Sequence, residues 1–307
     1  IRDTMNALLP DIADATHADD ATHPLNALRM SGAEVVVQVL ADEGVDVLFG
    51  YSGGAILPVY DAVFRYNATH IGPSGGEPMP LIVPANEQGA GFMAAGYARA
   101  SGKVGVAIVT SGPGATNMVT PVRDSMSDSV PMVVLCGQVP TTAIGSDAFQ
   151  EAPIANIMSA CAKHVFLVTD AEKLEATLRT AFEIARSGRP GPVVVDIPKD
   201  VQNTLLPFHG EGLLPMPGYR ARLERLEQSV LDDAQCAAFF EALAQSKRPL
   251  IYAGGGTIAS GASAELRAFV ADYGLPVTTT LMGIGAYDTT EPLALHMLGM
   301  HGTAYAN

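Results

Sequence analysis

The sequence contains no tryptophan, three cysteines and few charges: Asp, Glu, Lys and Arg make up 16% of its 307 residues. Cys136, Cys161 and Cys236 are far apart and odd in number. They offer neither a disulfide framework nor zinc-ligand spacing, and they fit a reducing compartment. Basic residues are scarce, 18 against 32 acidic, for a formal charge of −14. A sequence-independent grip on nucleic acid needs clustered Lys and Arg, so that class is excluded. No apolar run approaches the roughly 20 residues that span a bilayer, which excludes a membrane partner and, with the free thiols, points to a cytoplasmic location. Apolar residues are plentiful at 48%, too many for a mainly disordered chain. A chain of this length divides into about two domains.

Residues 1–29 are rich in Asp, Ala, Thr and His and have no periodic apolar face. They read as a mobile acidic leader. No cationic stretch precedes an apolar core there, so neither a secretory nor a transit peptide is expected. The chain starts with Ile1, and Ala304–Asn307 follows no closing strand. Both ends suggest a piece of a longer polypeptide.

From residue 30 strand and helix alternate. Ser31 and Glu34 form a capping box ahead of Val35, Val36, Val39 and Leu40 at helical spacing, and Gly44 ends that helix. Strands are predicted at Val45–Gly50, Leu81–Ala85, Val104–Thr110, Pro131–Gly137, His164–Val168 and Pro192–Ile197. Short, fully apolar strands separated by helices imply an α/β fold, a parallel sheet with helices on both faces, spanning 30–202. Pro207, Gly210, Gly212, Pro215, Pro217 and Gly218 make 203–222 read as a linker. A second, truncated α/β domain is predicted over 223–307, with helices Asp232–Ser246 and Ala262–Gly274 and only two clear strands, Pro249–Ala253 and Pro276–Thr280.

Ligands of open α/β sheets gather beyond the C-terminal ends of the strands. Four loops there are unusual: Tyr51-Ser-Gly-Gly54, Asn86-Glu-Gln-Gly89, Ser111-Gly-Pro-Gly-Ala-Thr-Asn117 and Gly137-Gln-Val-Pro140, the last running on to Asp147-Ala-Phe-Gln-Glu151. Glycines let a backbone approach a ligand closely. The Ser111 loop lacks a phosphate-loop lysine, and tight turns alone would explain such loops taken singly. Glu87 has two readings. A carboxylate in the first turn of a helix is favoured by the macrodipole; a carboxylate in a dry site can instead exchange a proton with a ring nitrogen. His296 and His301 are five apart, wrong for a shared helical metal site, so no metal ligand is assigned.

Taken in order, these loops with Phe49-Gly50, Gly96-Tyr-Ala-Arg99, Lys163-His164, Gly188-Arg-Pro-Gly-Pro-Val193, Asp196-Ile-Pro-Lys-Asp-Val201 and Met297-Leu-Gly-Met-His-Gly302 resemble the large catalytic subunit of the acetolactate synthase (acetohydroxyacid synthase) family, over about Ser31 to Asn307. The resemblance implies a thiamine-diphosphate enzyme that decarboxylates pyruvate and joins the two-carbon unit to pyruvate or 2-oxobutanoate, in branched-chain amino-acid biosynthesis. It makes 30–202 a pyrimidine-binding domain and 223–307 part of a central domain that binds FAD structurally, without redox chemistry. Glu87 becomes the catalytic carboxylate that favours the imino tautomer of the cofactor's aminopyrimidine.

The same resemblance places Gln150 beside the cofactor and Gly54, Ala55, Pro140, Phe149 and Lys163 along a substrate channel. Ser129, Arg189, Gly255, Thr280, Leu281, Met300 and His301 match cofactor positions, those after Ser129 being FAD contacts. Mg²⁺ would be held by a Gly-Asp-Gly…Asn pattern that does not occur here, so the chain alone is expected to be inactive. A homodimer or tetramer with its active site at a subunit interface, and a small regulatory subunit, are further implications. Tyr51-Ser52 stands where many relatives have Ile-Pro, and Asn86 where they have His, which bears on substrate preference. The alternatives are a pyruvate oxidase or sulfoacetaldehyde acetyltransferase type of 2-oxoacid enzyme, and a non-catalytic α/β binding module.

Overall fold

The computed structural model describes residues 23–70 and 77–307. The chain forms two compact units, the first running to Glu224 and the second covering Arg225–Asn307.

The first unit is built on the predicted alternation. Strands β2 (Leu48–Tyr51), β3 (Leu81–Ile82), β4 (Gly105–Val109), β5 (Met132–Gln138), β6 (His164–Leu167) and β7 (Pro192–Pro198) make one six-stranded sheet, in the order β3-β2-β4-β5-β7-β6. Every pairing in it is parallel. Successive side chains of a strand face opposite sides, and both sides are covered. Val133 and Leu135 of β5 join a core with Val36, Val63, Leu178 and Phe182. Met132, Val134 and Cys136 join another with Ala94, Val122, Ile154 and Met158. Burial on both faces is why these strands read as continuous apolar runs. Helix Gly32–Asp42 starts with the expected capping box, the Ser31 N–H donating to Glu34 Oε2 at 2.8 Å.

The boundaries at both ends of this unit differ from expectation. Residues 1–22 of the predicted leader lie outside the described residues. From His23 the chain is structured: strand β1 (Arg29–Ser31) pairs antiparallel with β8 (Leu205–Pro207), and Ala27 N–H donates to the Phe208 carbonyl at 2.8 Å. The stretch read as a linker, 203–222, is therefore a strap on the first unit. Phe208 is fully buried, and the Arg220 guanidinium bonds both oxygens of Glu183, each at 2.9 Å. Proline and glycine keep 208–216 out of regular structure, and Pro217 opens a helix, Pro217–Glu227. Leu206 and Phe208, beside Pro207, still bury.

The second unit is a three-stranded parallel sheet of β9 (Ile251–Ala253), β10 (Val277–Thr279) and β11 (Ala294–Met297), ordered β11-β10-β9. Its helices Asp233–Gln245 and Ser263–Tyr273 fall where predicted, the first with an Asp232/Gln235 capping box. Strand β11 adds to the two predicted strands. The left-handed backbone of His296 (φ 60°) and a register shift against β10 interrupt the pattern that marks a strand.

Candidate active site

From β2 the chain crosses to β3 on one side and then returns to place β4 on the other. The loops leaving β2 and β4 therefore lead to helices on opposite faces of the sheet, and the carboxyl ends of these strands form the switch point at which open α/β sheets bind ligands. Helix Glu87–Ser101 begins beside it. Asn86 caps that helix, its Oδ1 accepting the Gly89 N–H at 2.8 Å, so the residue that departs from the family pattern has a local task.

Glu87 is half-buried in the first turn of this helix. Asn117, on the loop after β4, donates its side-chain N–H to Glu87 Oε2 at 2.8 Å. Oε1 faces Gly114, where a methyl group would stand 3.3 Å away and would press on the Thr110 side chain at 2.7 Å. Thr110 Oγ1 accepts the N–H of Ala55 at 3.3 Å, joining the loops after β2 and β4. Below them Tyr60 is buried and donates to the Ile108 carbonyl at 3.2 Å. Burial, and the Glu87 carboxylate nearby, push the Tyr60 phenol above its ordinary range. It is a neutral donor at any physiological pH.

Gly112 turns with φ 51°, and a side chain on it would collide with the Gln150 carbonyl. Gln150 is itself left-handed (φ 56°), and Phe149 beside it is 88% exposed. Gly54, Ala55, Glu87, Pro140, Phe149 and Gln150 are thus brought to one edge of the sheet.

Three other residues are at the opposite edge, because each precedes its strand. Lys163 lies just before β6 and donates to the carbonyls of Ile184 and Ser187, the latter at 2.7 Å, at the end of helix Leu174–Arg186. Burial lowers its amine to about 8. Within one chain Lys163 and Phe149 thus stand at opposite edges of the sheet. Ser129 precedes β5 and Arg189 precedes β7. Arg189 bonds Ser129 Oγ at 2.7 Å and the carbonyls of Met126 and Ser127 at 3.1 and 2.9 Å, capping helix Val119–Asp128. In the second unit Gly255, Thr280, Leu281, Met300 and His301 all follow the carboxyl ends of β9, β10 and β11. Leu281 and Met300 are 69% and 92% exposed. Among the described residues no group of three or more His, Cys, Asp or Glu is placed to hold a metal ion.

Two family models match the chain: the thiamine pyrophosphate enzyme N-terminal TPP binding domain over residues 30–160, and the thiamine pyrophosphate enzyme central domain over 236–307. The chain belongs to the thiamine pyrophosphate enzymes. Within them it is 47% identical over 285 residues to the mitochondrial acetolactate synthase catalytic subunit of Aspergillus candidus, covering 90% of this chain and 39% of that one. It is 44% identical to the chloroplastic acetolactate synthase of Arabidopsis thaliana (90% and 39%) and 44% identical to the acetolactate synthase large subunit of Corynebacterium glutamicum (91% and 42%). The chain spans about two fifths of the length of the curated relatives it matches. No described helix is long and apolar enough to cross a membrane.

In this thiamine pyrophosphate enzyme chain the sequence motifs contain Asn117 and Lys199 without marking either one singly, and nothing in them marks Thr110 or Tyr60. Lys199 begins the helix after β7, at the same edge as Glu87, and lines a cavity of about 410 Å³ with Leu57, Pro58 and Arg65.

Proposed function

We propose that the chain forms part of an acetolactate synthase catalytic subunit, a transferase that decarboxylates pyruvate and joins the two-carbon unit to a second pyruvate or to 2-oxobutanoate. The observation that carries this reading is Glu87 at the sheet crossover, one oxygen held by Asn117 and the other facing a glycine turn. The 44–47% identity to acetolactate synthases supports it.

The residues suit the aminopyrimidine of thiamine diphosphate. A carboxylate with one free oxygen matches a ring nitrogen that carries a proton, and Gly112 and Gly114 let the turn after β4 pack closely against Gln150 and Thr110 beside it. When bound, the cofactor supplies the electron sink for 2-oxoacid decarboxylation. Glu87 Oε1 then holds or releases the proton at the ring nitrogen, while Asn117 keeps Oε2 engaged. Gln150 flanks the cofactor, and Gly54, Ala55, Pro140 and Phe149 wall the approach; Lys163, at the other edge of the sheet, would join them across a subunit interface.

For FAD the proposal retains the exposed loops of the second unit, Gly255, Thr280, Leu281, Met300 and His301. Ser129 and Arg189 are engaged with each other and with a helix end. Mg²⁺, a homodimeric or tetrameric assembly and a small regulatory subunit rest on similarity to the relatives. A cytoplasmic location rests on the three unpaired thiols.

The test is a chimera in which residues 30–307 replace the matching segment of the Saccharomyces cerevisiae acetolactate synthase catalytic subunit, 45% identical. Given thiamine diphosphate, Mg²⁺ and pyruvate it should form acetolactate. Glu87→Gln should lower turnover by at least about tenfold, as for loss of general acid–base help. A folded chimera that makes none, or a Glu87→Gln variant of near-normal rate, overturns the reading.

A further inference from the structure

Asp196 on β7 is 1% exposed, and one of its oxygens, Oδ1, has no hydrogen-bond partner. Unsatisfied buried polar atoms are uncommon in native proteins and call for a reason. The other oxygen, Oδ2, accepts from Gln138 Nε2 at 3.0 Å. The same Gln138 nitrogen donates to the Ala152 carbonyl at 3.3 Å, and Gln138 Oε1 accepts the Val139 N–H at 2.8 Å. Val139 opens the loop after β5 and Ala152 closes it, so a single side chain grips both roots of the loop carrying Pro140, Phe149 and Gln150. The rest of that loop is tied down as well. Thr141 donates its N–H and its hydroxyl to Asp200 at 3.0 and 2.5 Å, and Glu151 accepts from the N–H groups of Gly145 and Ala148. Asp147 and Gln150 both stand at positive φ, 55° and 56°. Left-handed non-glycine residues persist only where their surroundings over-determine them.

We infer that Gln138 and Asp196 are positioning residues, a buried clamp that presents Phe149 and Gln150 at the sheet edge. The neutral acid suits its surroundings. Its register neighbours are Cys136 on β5 and Leu167 on β6, and the Cys136 thiol is itself raised by burial. Helix Ile154–Ser159 brings no ionisable side chain. Helix Val119–Asp128 carries an exposed Arg123, and its Asp124 and Asp128 pair with Arg99. Burial raises the Asp196 carboxyl to about 7, with the Gln138 hydrogen bond opposing. Ionisation would leave a charge in an apolar site with one oxygen unpartnered, a state that favours local opening and entry of water.

Hydrogen exchange on this chain tests the clamp without any ligand. After correction for intrinsic rates, the Thr141 and Glu151 amides should exchange about tenfold faster at pH 8.5 than at pH 5.5, while Ala107 in β4 does not change. In Asp196→Asn, which cannot ionise, that difference should vanish. Gln138→Leu should lower loop protection about tenfold at both pH values, again with β4 unchanged. Wild-type loop protection independent of pH overturns the inference, and so does a pH effect that survives in Asp196→Asn or a Gln138→Leu loop as protected as wild type. Should Gln138→Leu fail to fold, the wild-type and Asp196→Asn comparison decides alone.

Discussion

Asn117 donates to the Glu87 carboxylate at 2.8 Å across a separation of 30 residues, so the loop after β4 settles which carboxylate oxygen remains free. Glu87 gets its place from a helix start and its orientation from a neighbouring crossover loop.

Exchanging that donor for an acceptor should therefore be more damaging than deleting it. Asn117→Asp sets two carboxylates at hydrogen-bond distance, where they hold one proton between them. In the yeast chimera it should reduce acetolactate formation by at least about tenfold, with Asn117→Ala reducing it less. Equal rates for wild type and Asn117→Asp would remove Asn117 from the site.

Asp196 gives stability a definite pH slope. Its carboxyl titrates at about 7 in the folded chain against 3.8 ordinarily. Between those values the folded chain holds a proton that the unfolded chain has released, so stability falls as pH rises through the window. Urea midpoints should drop from pH 5 to pH 8 in wild type, and the drop should be smaller in Asp196→Asn.

Arg179 is the centre of a buried ion cluster. It donates to Asp42 at 2.6 Å and to Glu175 at 3.0 Å, and Glu175 also accepts from the N–H groups of His209 and Gly210. Arg179→Ala leaves Glu175, 5% exposed, without its cation. The expected cost is about 3–5 kcal/mol, read by chemical denaturation.

In the middle of β5, Leu135 is fully buried. Leu135→Ala should cost about 2–5 kcal/mol through lost burial and the cavity it leaves. A cost under 1 kcal/mol would show that the core collapses around the gap.

Much of this was legible beforehand. The six strands of the first sheet lie at or within a few residues of their predicted positions, because the central strands, buried on both faces, announce themselves as unbroken apolar runs. The edge strand Leu81–Ile82 is shorter than expected, as Pro84 follows closely. The β1–β8 pair was hidden: its partners are separated by more than 170 residues, and nothing local in either segment signals the other. Glu87 and the glycine turns were legible as loop chemistry, but the Asn117 bond depends on the crossover. Strand direction sets Lys163 apart from Phe149 within the chain, since a residue before a parallel strand and one after it are at opposite ends of the sheet.

The pairing of Arg29 with Pro207 clasps together the two flanks of the stretch that holds the six-stranded sheet. A module whose ends touch can be transplanted into a foreign scaffold through one short joint, or reopened at a surface turn with its original ends sewn together. Its architecture is portable in a way that its length would not suggest.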